Sequence, residues 1–194
     1  MNFLAHCFLS NADPEALVGN LLGDFSKGVD ESALPLIVKE GLINHRAVDK
    51  FTDSNSLVLT AKNCFSAPRR RFAGIAVDVL FDHYLIKHWA AFSVISFDQF
   101  KAQTYQMLEI GYPLMPASMA CVIKRVITQD WFNSYRSIEG VGFALDGIAN
   151  RIRFKNNFSG CIDDIQLHDK ELEKLFIAFF PQIQQFILQR KIIV

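Results

Sequence analysis

Cysteine is sparse and scattered: Cys7, Cys64, Cys121 and Cys161 form no C-x-x-C pair. That excludes a zinc ribbon and a thioredoxin-type motif, and leaves reduced, mostly buried thiols in a cytoplasmic protein as the simple reading. Net charge is also absent, since 20 Lys and Arg balance 20 Asp and Glu. A surface basic all over is therefore excluded and no nucleic-acid partner is expected, although a local basic patch is compatible with neutrality. No apolar run reaches the ~18 residues that span a bilayer, so no membrane association is expected. The first residues lack a basic n-region and carry His6 where a secretory leader is apolar. There is no G-x-x-x-x-G-K-S/T, no G-x-G-x-x-G and no G-x-S-x-G, so nucleotide-loop and serine-hydrolase chemistry have no support. An alternating strand pattern, a long linker, a repeat and a low-complexity tract are missing as well.

What is present points to helices. At 194 residues, 51% of them hydrophobic, the chain suffices for one all-α domain, residues 1–194, around a sizeable core. Eighteen Phe make that core aromatic. The spacing predicts seven to ten helices. Asp13-Pro14 reads as an N-cap followed by a first helical residue, opening a helix to about Phe25. Gly19 and Gly23 lie in that helix and imply close backbone approach to a neighbour. Pro35 opens the next, to roughly Phe51, and Ser54 to Phe65 is a short one. Ser96 to Ile110 and Pro116 to Gln129 follow, with shorter pieces at Trp131 to Ile138 and Gly142 to Arg151. Two last helices, Asp164 to Phe180 and Pro181 to Ile193, are divided by Pro181.

The stretch Phe72 to Ala91 reads as a core helix, apolar on nearly all sides, yet Asp78, Asp82 and His83 interrupt it. Asp78 and Asp82 are four apart and share a face, roughly 40° apart around the axis. Two carboxylates on a buried face need a positive partner, either a divalent metal or Arg and Lys from another helix. Asp24 closes the helix that begins at Pro14, as a loop residue or as a ligand at a helix end. His45 and Asp49 are at i and i+4, with Asp53 continuing the row, which suits two ligands on one metal or a surface pair. His6 is a polar intrusion in an apolar segment. Together His6, Asp24, His45, Asp49, Asp78, Asp82 and His83 come from four helical segments. Mixed imidazole and carboxylate ligands suit manganese, iron or zinc, and mostly-carboxylate sets lean to manganese or magnesium. With Arg nearby, such a centre is the equipment for phosphoester hydrolysis.

Four motifs then carry a resemblance. MNFLAH at the start, GNLLGDF at 19–25, NHRAVDKFTD at 44–53 and VDVLFDHYLIKHW at 77–89 resemble the acyl carrier protein phosphodiesterases. QDWFNSYRSIEGV at 129–141 and GIANRIRF at 147–154 continue the similarity more weakly. The resemblance implies an all-helical, HD-phosphohydrolase-like fold and a divalent metal, Mn2+ first, with Mg2+ or Fe2+ as alternatives. It implies hydrolysis of the phosphodiester joining 4′-phosphopantetheine to a serine of holo-acyl carrier protein. It further implies that His6, Asp24, His45, Asp49, Asp78, Asp82 and His83 are the metal and catalytic positions. The HD dipeptide of the wider superfamily is inverted here, Asp82-His83. The only literal His-Asp, His168-Asp169, reads as a solvated helix start.

The expected division of labour gives the metal to His6, Asp24, His45, Asp78 and Asp82. Arg46 steadies the non-bridging phosphate oxygens, and His83 or Asp49 manages the proton. Arg69, Arg70 and Arg71 precede the core helix and form the expected docking edge for an acidic carrier protein, or else a solvated helix start. Two rivals share the sequence evidence: the same chemistry on a nucleotide or another small phosphodiester, and a helical binding module whose His and Asp are structural.

Overall fold

Asp82 caps the first helix from 78 residues away. The computed structural model describes residues 1–192. The first helix, α1 (Phe3–Phe8), has no side-chain cap of its own at Asn2. The backbone N–H of Leu4 donates to Asp82 Oδ2 at 3.0 Å, and that of Ala5 to Oδ1 at 2.9 Å. These donors are orphans at any helix start, so the carboxylate replaces a local cap and fixes α1 on the core helix.

Helix α2 (Pro14–Leu22) starts as its sequence dictates: Asp13 accepts from the Ala16 N–H and Pro14 occupies the first turn. It ends in a 3-10 turn, Gly23–Phe25, and a long helix α3 (Leu36–Ser54) then crosses it. The crossing is close. A Cβ at Gly19 would lie 2.1 Å from the Val38 carbonyl oxygen, and one at Gly41 would lie 2.4 Å from that of Ala16. Neither place has room for any side chain, so these glycines are what lets α2 and α3 meet backbone to backbone.

Helix α4 (Ser56–Asn63) turns back, capped by Asn55 on the Leu57 N–H. A 3-10 turn, Arg70–Phe72, feeds the core helix α5 (Ala73–Lys87). Ala76, Val77, Leu80, Phe81, Tyr84 and Leu85 are buried along it, as its near-uniform apolar character predicts. α5 packs on α1, α4, α10 (Ile138–Ala149) and α11 (Ile162–Ile192). Between them lie α6 (Trp89–Phe92), α7 (Phe97–Ile110), α8 (Ala117–Thr128) and α9 (Trp131–Ser134). Asp130 enters α9 with φ 47°, a left-handed residue held by Lys101 at 2.6 Å and the Tyr105 hydroxyl at 3.0 Å. No strand occurs among the described residues. None of the helices is long and apolar enough to cross a membrane.

The phenylalanines do what their abundance implies. Phe176, Phe179 and Phe180 on α11 are buried against Phe81 on α5, Phe51 on α3 and Phe92 on α6. Ring-on-ring contacts of this kind add about 0.5–1.5 kcal/mol each to their area burial. The structure also corrects two sequence expectations. Pro181 lies inside one continuous helix instead of dividing two, so flanking contacts outweigh its missing N–H. His168-Asp169 sits well inside α11, and Asp169 accepts the Tyr84 hydroxyl at 2.9 Å, so the dipeptide is a core-edge contact and not a solvated start. The predicted end of the last helix at Ile193 lies outside the described residues.

Candidate metal centre

Two helices bring three side chains together. His6 on α1 and His45 and Asp49 on α3 place ligand atoms within 4.8 Å of one another. The two imidazoles stack, 4.1 Å between ring centres and 14° between planes. His45 is oriented from α2: its Nδ1 lies 2.6 Å from the Asn20 carbonyl oxygen. A carbonyl only accepts, so Nδ1 carries the proton and Nε2 is the atom presented to the site. That Nε2 is 2.9 Å from Asp49 Oδ2. Asn20 serves the second imidazole too, because its side-chain amide donates to the His6 carbonyl at 2.7 Å and pins α1 there.

His6 is buried completely, and neither of its ring nitrogens has a hydrogen-bond partner among the described residues. Its Nε2 is 3.2 Å from Asp49 Oδ1, close enough for attraction but out of hydrogen-bonding alignment. A buried imidazole without partners is costly, and a cation between His6, His45 and Asp49 removes the cost. The residues therefore fit a divalent ion: two imidazole nitrogens and a carboxylate, one imidazole already fixed in the ligating tautomer.

The charge states of His6 and Asp49 agree with that fit, whereas burial pulls His45 down but Asp49 and Asp24 outweigh it and shift it upward. Burial pulls the pKa of His6 down to about 4, so it is a neutral donor at neutral pH. Burial alone raises Asp49, but His45, His6 and the Met1 amino group beside it reverse the direction and hold its carboxyl well below the usual range. Asp24 and Asp78 are shifted the other way, upward, chiefly by burial. Asp78 Oδ1 is 3.2 Å from the Met1 nitrogen, which is also 3.4 Å from Asp49 Oδ1. Asp24, in the 3-10 turn after α2, feels the charges of His45, Asp49 and Asp78. Asp78 thus joins the cluster through the Met1 amino group, while Asp24 is exposed and linked to it by charge alone.

Other residues singled out by the sequence point elsewhere. Both oxygens of Asp82 are engaged by the α1 backbone, which makes it a cap for the element carrying His6 rather than a member of the cluster. His83 turns its Nδ1 to the Tyr135 carbonyl at 2.8 Å, and the charges it feels are Lys87, Asp169 and Glu173. Arg46 is exposed and makes a two-contact ion pair with Glu31. Asp53 pairs with Lys62 at 2.8 Å. Of the Arg triplet, Arg69 is tied to Asp164 at 3.3 Å, while Arg71 lies over the Phe154 ring, 4.9 Å from its centre. Asn20 went unnoticed in the sequence, although an Asn between two glycines in an apolar helix is itself a signal.

Among the described residues the molecule is helical throughout its regular structure and carries a His/Asp cluster compatible with a divalent cation. A family model described as acyl carrier protein phosphodiesterase matches residues 1–183. The chain is 35% identical to a Yersinia enterocolitica protein named acyl carrier protein phosphodiesterase, over 93% of this chain and 94% of that one. Proteins of the same name from Yersinia pestis and an Enterobacter strain are each 32% identical, over 95% and 94% of this chain and 96% and 95% of theirs. No solved structure matches. The chain belongs to the acyl carrier protein phosphodiesterase family.

Proposed function

We propose that this protein hydrolyses the phosphodiester that joins 4′-phosphopantetheine to a serine of holo-acyl carrier protein, releasing apo-carrier protein and 4′-phosphopantetheine. It acts as one HD-phosphohydrolase-like domain, in the cytoplasm, with Mn2+ as the preferred ion. The observation that carries the reading is His6: fully buried, without hydrogen bonds, and stacked on an oriented His45 beside an ionised Asp49.

His6, His45 and Asp49 would hold the ion. Bound there, a divalent cation would supply Lewis acidity toward the phosphoryl group and lower the pKa of water so that hydroxide is available near neutral pH. The chain's own residues do the rest. Asn20 keeps His45 in its ligating tautomer. Asp82 holds α1, and with it His6, in register. Asp24 and Asp78, whose carboxyls are raised by burial, are the groups able to hold a proton next to the cluster and return it to the departing serine oxygen. This replaces His83 in the proton role and leaves Arg46 in its surface pair with Glu31.

The test is incubation with holo-carrier protein after chelation and after replenishment with Mn2+, Mg2+ or Fe2+, following the carrier by mass spectrometry. Loss of the prosthetic-group mass only when an ion is restored, fastest with Mn2+, is the expected result. An unchanged carrier mass with every ion, alongside turnover of nucleotides, would move the substrate to the small phosphodiesters.

A further inference from the structure

A cavity of about 970 Å³ opens beside the cluster, walled by α9, α10 and the start of the chain. That volume lies at the upper end of small-molecule sites. Its lining residues Asn2, Phe25 and Val79 are the chain neighbours of Met1, Asp24 and Asp78, whose charged groups act on one another and on Asp49. The cavity and the cluster are thus built on adjacent residues of the same segments. Phe3, Trp131, Phe143 and Ile148 make the walls mainly apolar. Phe143, at the mouth of the cavity, is 79% exposed.

Polar groups are set into this apolar surface. The Asn2 side-chain nitrogen is buried beside the Tyr135 hydroxyl, out of hydrogen-bonding alignment with it. Arg151, just past the end of α10, also lines the cavity; its side chain donates to the Gly147 carbonyl (3.1 Å) and forms no ion pair among the described residues. An amide donor and an unpaired guanidinium on an otherwise greasy wall suit a narrow chain that alternates methylenes with amides. A helix of another protein would need a wider groove with a continuous apolar stripe.

We propose that this cavity holds the pantetheine arm of the substrate while the cluster holds its phosphate. The assignment rests on the proposed carrier-protein substrate and adds to it the subsite for the prosthetic group. The arm's gem-dimethyl and methylene segments lie against Phe3, Phe25 and Trp131, and its amide carbonyls accept from Asn2 and Arg151. The carrier protein's serine is then left on the outer side of the cluster, so most substrate recognition inside the protein is of the arm.

Gly147 makes the idea testable without harming the fold. It lines the cavity on α10, and a Cβ built on it meets nothing within 4 Å. Gly147→Phe therefore fills the space the arm would use. The experiment measures KM for holo-carrier protein, hydrolysis of bis(p-nitrophenyl) phosphate, and binding of free pantetheine by calorimetry, with the melting temperature as the control for folding. Expected are a KM raised at least tenfold, an aryl ester rate within twofold of the unmodified protein, and pantetheine binding lost. Trp131 fluorescence should respond to pantetheine in the unmodified protein, and Trp131→Phe should remove the response. An unchanged KM in Gly147→Phe, or no pantetheine binding by the unmodified protein, overturns the assignment. If holo-carrier protein is not cleaved at all, the proposed activity fails, and pantetheine binding still decides what the cavity takes.

Discussion

A Cβ at Gly23 would lie 2.0 Å from Cδ2 of His45. The second glycine of GNLLGD is therefore the floor beneath the His45 ring, while Asn20, one turn earlier, holds that ring by its Nδ1. One turn of α2 and the residue after it thus fix the position, tilt and tautomer of a ligand carried by α3.

Gly23→Ala should push the ring off this floor. A shift of about 1 Å at a reacting centre costs on the order of 10²-fold in rate, and kcat/KM for holo-carrier protein is expected to fall by that much. Gly74→Ala supplies the comparison, since its added methyl meets only the flexible end of Lys62, at 3.7 Å. Equal activity in the two alanine variants would show that His45 needs no such floor.

Removing His6 separates a ligand from a structural histidine. His6→Leu keeps the volume apolar and eliminates two unpartnered buried nitrogens. The metal-free variant should melt at the same or a higher temperature than the metal-free parent, because an unsatisfied buried polar group costs about 1–3 kcal/mol. The parent should gain stability on addition of Mn2+, by mass action on the folded state, and the variant should gain little and lose turnover by orders of magnitude. A variant that keeps the full Mn2+ shift would remove His6 from the ion.

How much of this was visible in the sequence depends on how local the cause is. The all-helical class follows from apolar periodicity, and Asp13-Pro14 and Pro35 open helices at or next to the predicted residues because capping is decided within one turn. The members of the cluster that the spacing grouped, His45 and Asp49, are a turn apart on α3. Asp82 shows the limit. On α5 it looks like Asp78, a carboxylate in an apolar helix, and the partner that distinguishes it is the start of α1, some 78 residues away. Pro181 failed for a related reason: the breaking tendency is local, while the packing of Phe179, Phe180 and Ile183 that overrides it is not. The cavity was illegible because its walls come from three separate parts of the chain.

Asp82→Asn tests the capping role. Asn offers one acceptor where two N–H groups need one each, so a loss of about 1–3 kcal/mol is expected, with metal affinity reduced only through the looser seat of His6. The pH dependence has a definite sign. Burial raises Asp82 to about 7, although the Leu4 and Ala5 N–H groups oppose it. Unfolded Asp releases its proton near ~4, so between about pH 4 and 7 the folded state binds more protons, and this group's contribution to stability falls as pH rises. The stability gap between parent and Asp82→Asn should therefore depend on pH over that window. A flat gap, with metal binding abolished, would return Asp82 to the ligands.

The Arg triplet divides into two kinds of residue, and separate substitutions should show it. Arg69 reaches Asp164 on α11 and the carbonyls of Asn157 and Ser159, so it ties the loop before α11 to the turn before α5. Arg69→Ser is expected to cost about 1 kcal/mol of stability, the scale of a partly exposed ion pair, and to leave KM for the carrier protein nearly unchanged. Arg70 and Arg71 are exposed and form no ion pair among the described residues; Arg70 contacts the Phe65 carbonyl at 3.5 Å and Arg71 lies over Phe154. These two remain available to an acidic partner. Arg70→Ser with Arg71→Ser should raise KM for holo-carrier protein at low ionic strength, flatten its salt dependence, and leave kcat and the melting temperature alone. A neutral chain that meets an acidic carrier needs its positive charge concentrated somewhere. If the double substitution leaves KM and its salt slope untouched, that place is not the edge before α5, and Arg151 and Arg153 at the cavity end become the surface to replace next.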